Sequence, residues 1–113
     1  MSSAVDSRIV IVLTTLGADA DAAALAKTLI EERLVACVNI MPMTTVYCWK
    51  GKIEHNPEQQ LFIKTTAARV EELETRLLQL HRYEVPEFLV VRVDASTEIY
   101  RDWVRTWVGA AEA

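Results

Sequence analysis

A run of five consecutive apolar residues, Ile9 to Leu13, places the strongest limit on the fold of this chain. Four of the five side chains are β-branched, and such side chains are stiff and pack well on a pleated surface. A strand that is apolar on both sides needs packed helices over one face and shielding neighbours over the other. We therefore predict that residues 9–13 form the central strand of a sheet.

Three later segments have the 3.6-residue apolar period of an amphipathic helix. The first follows Asp19 and Asp21, which offer an N-cap and a first-turn acid, and it ends near Arg33. The second begins after Thr66 and the third after Ser96, both hydroxyl residues of the kind that cap helices. Three helices are predicted.

Between the first two helices the pattern is extended and indicates a long hairpin. It begins at Val35, and Pro42 predicts a bulge or an edge position because proline cannot donate to a β-ladder. The turn is expected at Lys50-Gly51, where glycine supplies the positive φ of a tight hairpin. The return strand runs to Thr65, with an irregularity expected at Asn56-Pro57.

A last strand, Phe88 to Val93, is expected after Val85-Pro86, so the order is βαββαβ plus a C-terminal helix. This order predicts a ferredoxin-like α+β fold with two helices on one face of an antiparallel sheet. We expect one domain over residues 1–113, with an ordered core of about 8–108. The other sheet face would lack helical cover, which favours association with copies of the same chain.

Composition excludes several classes of function. With 113 residues there is no room for a separate catalytic domain, and a net charge of −4 argues against a nucleic-acid partner. The N-terminal residues lack the basic and apolar regions of a secretory signal, and no segment is long enough to span a membrane. Cys37 and Cys48 show no zinc-type spacing, so we expect two reduced thiols in a cytoplasmic protein.

Four stretches with this order and spacing resemble the CutA family of divalent-cation tolerance proteins. They are Leu34 to Ile40, Tyr47 to Ile53, Lys64-Thr65 and His81 to Glu87, and the resemblance extends from about Arg8 to Val108. It implies a ferredoxin-like subunit, a trimer built through the long hairpin, divalent-metal tolerance with copper binding, and no established enzymatic activity.

The chain departs from the family pattern at two positions. Arg82 follows the motif histidine where the family usually has proline, and Thr14 stands where bacterial members credited with copper often have cysteine. Both departures weaken a copper site carried over from the family.

His81 is the first candidate metal ligand, with Glu84 or Glu87 as carboxylate partners. A neutral imidazole is a common ligand of copper and zinc, so we expect Cu(II) ahead of Zn(II), with no metal required for folding. The alternative is a histidine at a helix C-terminus that contacts the last carbonyl groups and the helix dipole.

Tyr47, Trp49, Lys64 and Tyr83 are candidates for a cleft or subunit interface. Amphipathic aromatic rings favour interfaces, and a lysine ammonium can reach into an intersubunit cleft. The alternative is packing at a sheet edge with a lysine whose ammonium group reaches solvent.

The other soft or imidazole side chains have structural interpretations. Cys37 lies within an apolar alternation and is expected in the core, whereas Cys48, beside the hairpin end, is expected to be more exposed. Met41 and Met43 are expected to pack irregularly, and His55 is expected at the surface.

Three rival functions share this fold. A PII-like signalling trimer that binds small ligands between subunits is the main alternative, although few lysines lie near the expected interface. An acylphosphatase-like enzyme is disfavoured because Asp19 and Asp21 follow strand one and would repel phosphate. RNA binding is disfavoured because strand one has no aromatic residue. An unidentified protein partner stays open.

Overall fold

The computed structural model describes residues 6–109. A short 3₁₀ turn, Ala67–Arg69, precedes the second α-helix, and the elements are β1 (Ile9–Gly17), α1 (Ala22–Glu31), β2 (Cys37–Trp49), β3 (Lys52–Thr66), α2 (Val70–Leu80), β4 (Leu89–Arg92) and α3 (Glu98–Gly109). This order confirms the predicted βαββαβ arrangement with an additional C-terminal helix. Within the described residues, no helix is long and apolar enough to cross a membrane.

The four strands form one antiparallel sheet in the order β2-β3-β1-β4. β1 lies between β3 and β4, with Val12 opposite both Ile63 and Val90. The apolar run therefore occupies a central strand, and the ferredoxin-like fold predicted from the sequence is confirmed.

The β2–β3 hairpin is more regular than predicted. Its register is continuous from Cys37 opposite Lys64 to Trp49 opposite Lys52, so the irregularity expected at Asn56-Pro57 is absent. Pro42 lies opposite Gln59 without a bulge, because β2 is an edge strand and its outer side needs no hydrogen-bond donor.

The outer part of this hairpin extends beyond the sheet. β1 pairs with β3 only from Glu58 to Thr66, so residues 52–57 of β3 pair with 44–49 of β2 alone. We call this two-stranded segment the ribbon. Lys50 and Gly51 close it with φ values of 51° and 79°, as a type I′ hairpin turn requires.

The main core lies between the sheet and helices α1 and α2. Its largest fully buried apolar side chains come from the sheet, from both helices and from the α1–β2 loop: Val12, Leu29, Val35, Leu61, Ile63, Leu73 and Leu77. Burying side chains of this size stabilises the fold by roughly 1.5–3 kcal/mol each. The core thus fixes α1 and α2 on one face of the sheet.

The helix ends agree only partly with prediction. Asp21 caps α1 by accepting a hydrogen bond from the Ala24 N–H at 3.0 Å, but α1 ends at Glu31 and Arg33 has a φ of 59°. The Thr66 side chain makes no capping hydrogen bond. At α3 the hydroxyl of Thr97, rather than the predicted Ser96, accepts from the Tyr100 N–H, because Thr97 directly precedes the helix.

Helix α3 covers one end of the second sheet face, so the expectation that this face lacks helical cover was wrong there. Val104 and Val108 pack with Ile9 and Ala36 in a second buried cluster. Trp107 fixes the helix in place, because its indole N–H donates to the carbonyl of Ile30 at 2.9 Å.

The rest of that face carries apolar side chains that alternate with those of the main core. Residues directly opposite each other in a ladder share a face. The set, which we call the open face, comprises Ile11, Leu13, Met41, Phe62, Leu89 and Val91. Leu89 is 54% exposed, so at the β4 side this apolar face meets solvent in the single chain.

Candidate functional site

A cleft of about 550 Å³ lies between the ribbon and the segment that follows α2. We call it the ribbon cleft. Residues from β1, β2, β3 and the segment 82–87 line it: Thr15, Thr45, Tyr47, Cys48, Trp49, Glu58, Arg82, Tyr83, Glu84, Val85 and Glu87. The cleft exists because the hairpin extends past the end of the sheet.

His81 fixes the segment 82–87 against β1. Its Nε2 lies 2.8 Å from the carbonyl oxygen of Thr15, and its Nδ1 lies 3.1 Å from the backbone nitrogen of Tyr83. A carbonyl only accepts and an N–H only donates, so Nε2 donates to Thr15 and Nδ1 accepts from Tyr83. Both ring nitrogens of the neutral imidazole are therefore engaged with the backbone.

Tyr83 connects this segment to β3. Its hydroxyl donates to Glu58 Oε2 over 2.5 Å, and Glu58 is only 5% exposed. Burial raises the pKa of the Tyr83 hydroxyl, and the hydrogen bond to the Glu58 carboxylate raises the pKa further. The phenol thus remains a neutral donor at physiological pH.

The carboxylate of Glu87 is held at the inner side of the cleft. The hydroxyl of Thr15 donates to its Oε1 at 3.0 Å, and the Nε2 amide of Gln60 donates to its Oε2 at 3.1 Å. Gln60 also donates to the Thr14 carbonyl at 2.9 Å. Glu87 is therefore oriented by two neutral donors.

At the outer side of the cleft, Glu84 and Trp49 meet a lysine from the hairpin turn. Lys50 Nζ lies 3.9 Å from Glu84 Oε1 and 5.5 Å from the centroid of the Trp49 ring. Nearby, the Asn56 side-chain amide donates to the Tyr47 hydroxyl at 3.0 Å. The Lys50–Glu84 contact joins the ribbon to the segment that follows α2, whereas the other two contacts lie within the ribbon.

The charges of the cleft favour a cationic ligand. Glu58, Glu84 and Glu87 contribute carboxylates, whereas Arg82 is the cationic residue among the lining side chains. Even when Lys50 beside Glu84 is counted, the carboxylates outnumber the cations, and this excess of negative charge repels anions. The electrostatics thus agree poorly with a phosphate-bearing ligand.

The three predicted metal ligands lie close together in the chain, but they do not all line the ribbon cleft. Glu84 and Glu87 both line the cleft, whereas the nitrogens of His81 point to backbone groups. Within residues 6–109, no three histidine, cysteine or acidic side chains form a ready-made metal centre. A metal on His81 would have to displace the Thr15 carbonyl or the Tyr83 N–H, so this geometry favours a positioning role for His81 over the ligand role expected from the sequence.

The predicted cleft residues divide into two groups. Tyr47, Trp49 and Tyr83 line the ribbon cleft. Lys64 lies elsewhere, near α3, where its ammonium donates to Asn39 Oδ1 and lies 3.9 Å from the Cys37 sulfur.

Sequence reasoning missed Glu58 and Thr15 as parts of the cleft. Their positions depend on the strand register, which places Glu58 opposite both Met43 and Gly17 at the point where the ribbon leaves the sheet. A continuous hairpin register would have revealed this position, but the bulge or edge position expected at Pro42 and the irregularity expected at Asn56-Pro57 left the register undefined.

Comparison with known proteins assigns the chain to a family. The family model described as CutA1 divalent ion tolerance protein matches residues 10–107. The divalent-cation tolerance protein CutA of Thermus thermophilus is 39% identical over 100 residues, covering 88% of this chain and 97% of the relative.

Solved structures agree with that assignment. A protein of Archaeoglobus fulgidus, described as a periplasmic divalent cation tolerance protein CutA, superposes with a TM-score of 0.85 at 28% identity, covering 88% of this chain and 98% of its own. The PII-like protein CutA of Nostoc gives a TM-score of 0.83 at 39% identity, with 88% and 96% covered. The chain therefore belongs to the CutA1 family of divalent ion tolerance proteins.

Proposed function

We propose that this protein is a non-catalytic homotrimer that binds divalent cations, Cu(II) ahead of Zn(II), in the ribbon cleft. The observation that carries the proposal is the convergence of Glu58, Glu84 and Glu87 on one cleft with a single lining cation, Arg82. Carboxylate oxygens bind divalent cations, and a given site of oxygen, nitrogen or sulfur donors generally binds Cu(II) more tightly than Zn(II).

The arrangement supports binding of modest affinity. Glu58 is hydrogen-bonded to Tyr83 and Glu84 is paired with Lys50, so a cation must compete with both partners. In this proposal the carboxylates supply the ligands. His81 acts as a positioning residue, because it fixes the segment that carries Glu84 and Glu87.

The trimer is proposed from the open face. Six apolar side chains on four strands form a surface next to the cleft, and contiguous apolar patches of this kind mark interaction sites. Another copy of the same chain presents the same surface at the same concentration, so self-association is the simplest way to bury the open face. The ribbon extends beyond the sheet, and we propose that it contacts a neighbouring subunit.

We propose that the cleft is not catalytic because neither His81 nor Tyr83 is placed to act as a base. His81 uses both ring nitrogens on backbone groups, so it is not poised to deprotonate the nearby Cys48 thiol. The Tyr83 phenol is held neutral and is a hydrogen-bond donor rather than a base.

A PII-like role in small-molecule signalling is the second candidate. The cleft volume of about 550 Å³ lies in the range of small-molecule sites. The carboxylates argue against nucleotides, which PII-type regulation would use. A titration with ATP in the presence and absence of Mg²⁺ separates the two candidates, because the divalent-cation proposal predicts no ATP binding without metal.

We also propose a cytoplasmic location, where the free thiols of Cys37 and Cys48 would stay reduced. Any protein partner is unidentified. Fractionation of cells with compartment-specific markers tests the location, and recovery in the periplasmic or secreted fraction would contradict it.

Calorimetry with Cu(II) tests the proposed metal function. Glu87→Gln keeps the shape of the side chain and removes its charge, so we expect a loss of affinity of about tenfold or more. Glu98→Gln, on α3 outside the cleft, is the matched control and should bind as the wild type does. Equal affinities of both variants and the wild type would reject the cleft as the metal site.

A further inference from the structure

Lys50 brings an ammonium group to two of the side chains that line the ribbon cleft. Its Nζ lies 5.5 Å from the centroid of the Trp49 ring and 3.9 Å from Glu84 Oε1. An aromatic face attracts a cation through its quadrupole, and a carboxylate attracts it through charge. Trp49 and Glu84 therefore form a subsite for an ammonium group, and the chain's own Lys50 occupies it.

The rest of the cleft has the same chemistry. The rings of Tyr47 and Tyr83 line it together with the carboxylates of Glu58 and Glu87. Aromatic rings combined with acidic groups are a common recognition device for organic ammonium ions. The volume of about 550 Å³ is far larger than a bare metal ion needs and suits a small organic molecule.

We infer that the ribbon cleft binds a small organic ammonium ion, the protonated form of an alkyl amine, and that Lys50 is a tethered competitor for its outer subsite. The inference extends the proposed function from inorganic to organic cations. It rests on the same acidic cleft, but it does not depend on metal coordination.

The contacts of Lys50 are weak enough for a ligand to displace them. The Lys50 side chain is 71% exposed and that of Glu84 is 65% exposed, and ion pairs at such positions contribute little to stability. Lys50 also has a φ of 51°, at a turn position that usually favours asparagine or glycine. A lysine at this position thus brings a charge to the cleft where the turn alone would favour another residue.

The test is a calorimetric titration of the metal-free full chain with n-butylammonium chloride, with n-butanol as the uncharged control. Lys50→Gln removes the tethered ammonium and should tighten n-butylammonium binding by roughly threefold to tenfold, since a tethered group competes at millimolar effective concentration. Lys52→Gln changes the net charge equally on the same hairpin, outside the cleft lining. It should alter affinity by less than about twofold.

Trp49→Leu provides a second variant, because it removes the ring while keeping an apolar side chain. It should weaken n-butylammonium binding by roughly twofold to fivefold. Equal tightening by Lys50→Gln and Lys52→Gln, or equal binding of n-butanol, would overturn the inference.

Cu(II) titrations of the same preparations separate this inference from the proposed function. Cu(II) binding that depends on Glu87, without any n-butylammonium binding, would overturn the inference and leave the metal proposal standing. Failure of both cations to bind would reject both.

Discussion

The hydroxyl of Tyr83 lies 2.5 Å from Glu58 Oε2, and this hydrogen bond joins the segment after α2 to the strand at which the ribbon begins. Glu58 is buried, so its carboxylate depends on such a donor for stabilisation. The same carboxylate is one of the proposed cation ligands. Access of a cation to Glu58 is therefore linked to the position of Tyr83.

Removing this donor should change stability. Tyr83→Phe leaves the ring in place but deprives buried Glu58 of its hydrogen bond, so we expect the free energy of unfolding to fall by about 1–2 kcal/mol. Urea unfolding followed by circular dichroism measures the change. Tyr47→Phe is the control, because the Tyr47 hydroxyl accepts from the Asn56 amide in a solvent-exposed contact and should contribute less than about 0.5 kcal/mol. Equal losses would contradict the assigned role of Tyr83.

Alkaline pH should destabilise the protein partly through Tyr83. Burial and Glu58 raise the pKa of Tyr83 in the folded state, so above about pH 10 the unfolded chain loses this proton first. The unfolded state then binds fewer protons than the folded state, and stability falls as pH rises. Unfolding titrations between pH 8 and 11 should show a shallower decline for Tyr83→Phe. An identical decline would show that Tyr83 does not cause it.

Two buried threonines should respond oppositely to the same substitution. Thr14 faces the main core, and its hydroxyl has no hydrogen-bond partner within the described residues. Thr65 is equally buried, and its hydroxyl donates to the Leu34 carbonyl at 2.7 Å. Thr14→Val should raise the unfolding free energy by about 1 kcal/mol, and Thr65→Val should lower it by about 1–3 kcal/mol. Thermal unfolding that shifts in the same direction for both variants would contradict this assignment.

Self-association should depend on the open face. Light scattering should give a mass near three times the 12.7 kDa of the chain. Leu89→Glu places a charge on the open face and should produce smaller species. Leu78→Glu is the matched control, because Leu78 is 46% exposed on α2, a helix that packs on the other side of the sheet, and this variant should remain trimeric. A wild-type mass of one chain at micromolar concentration would reject the trimer.

Much of the fold was predictable because its signals are local. The apolar run at Ile9 marks the central strand, Lys50-Gly51 marks the turn, and Asp21 marks a helix start. Other features depend on context. Pro42 predicted a bulge or an edge position, and the strand order shows that the edge position is correct and the bulge is absent.

The site was less predictable because it depends on contacts between residues that lie far apart in the sequence. Glu84 and Glu87 attracted attention through their proximity to His81 in sequence, but the partners of His81 include a carbonyl 66 residues away at Thr15. Glu58 enters the cleft only through strand register and the Tyr83 contact. The local sequence therefore identified the segment from His81 to Glu87 but not the roles of its side chains.

The most direct test of the proposed metal site is electron paramagnetic resonance of the full chain with less than one equivalent of Cu(II). We expect a spectrum of oxygen coordination without nitrogen hyperfine splitting, altered by Glu87→Gln, because carboxylates are the proposed ligands and both His81 nitrogens are engaged with the backbone. Nitrogen splitting that disappears in His81→Ala would show that the imidazole binds the metal and would rule out a site made of carboxylates alone.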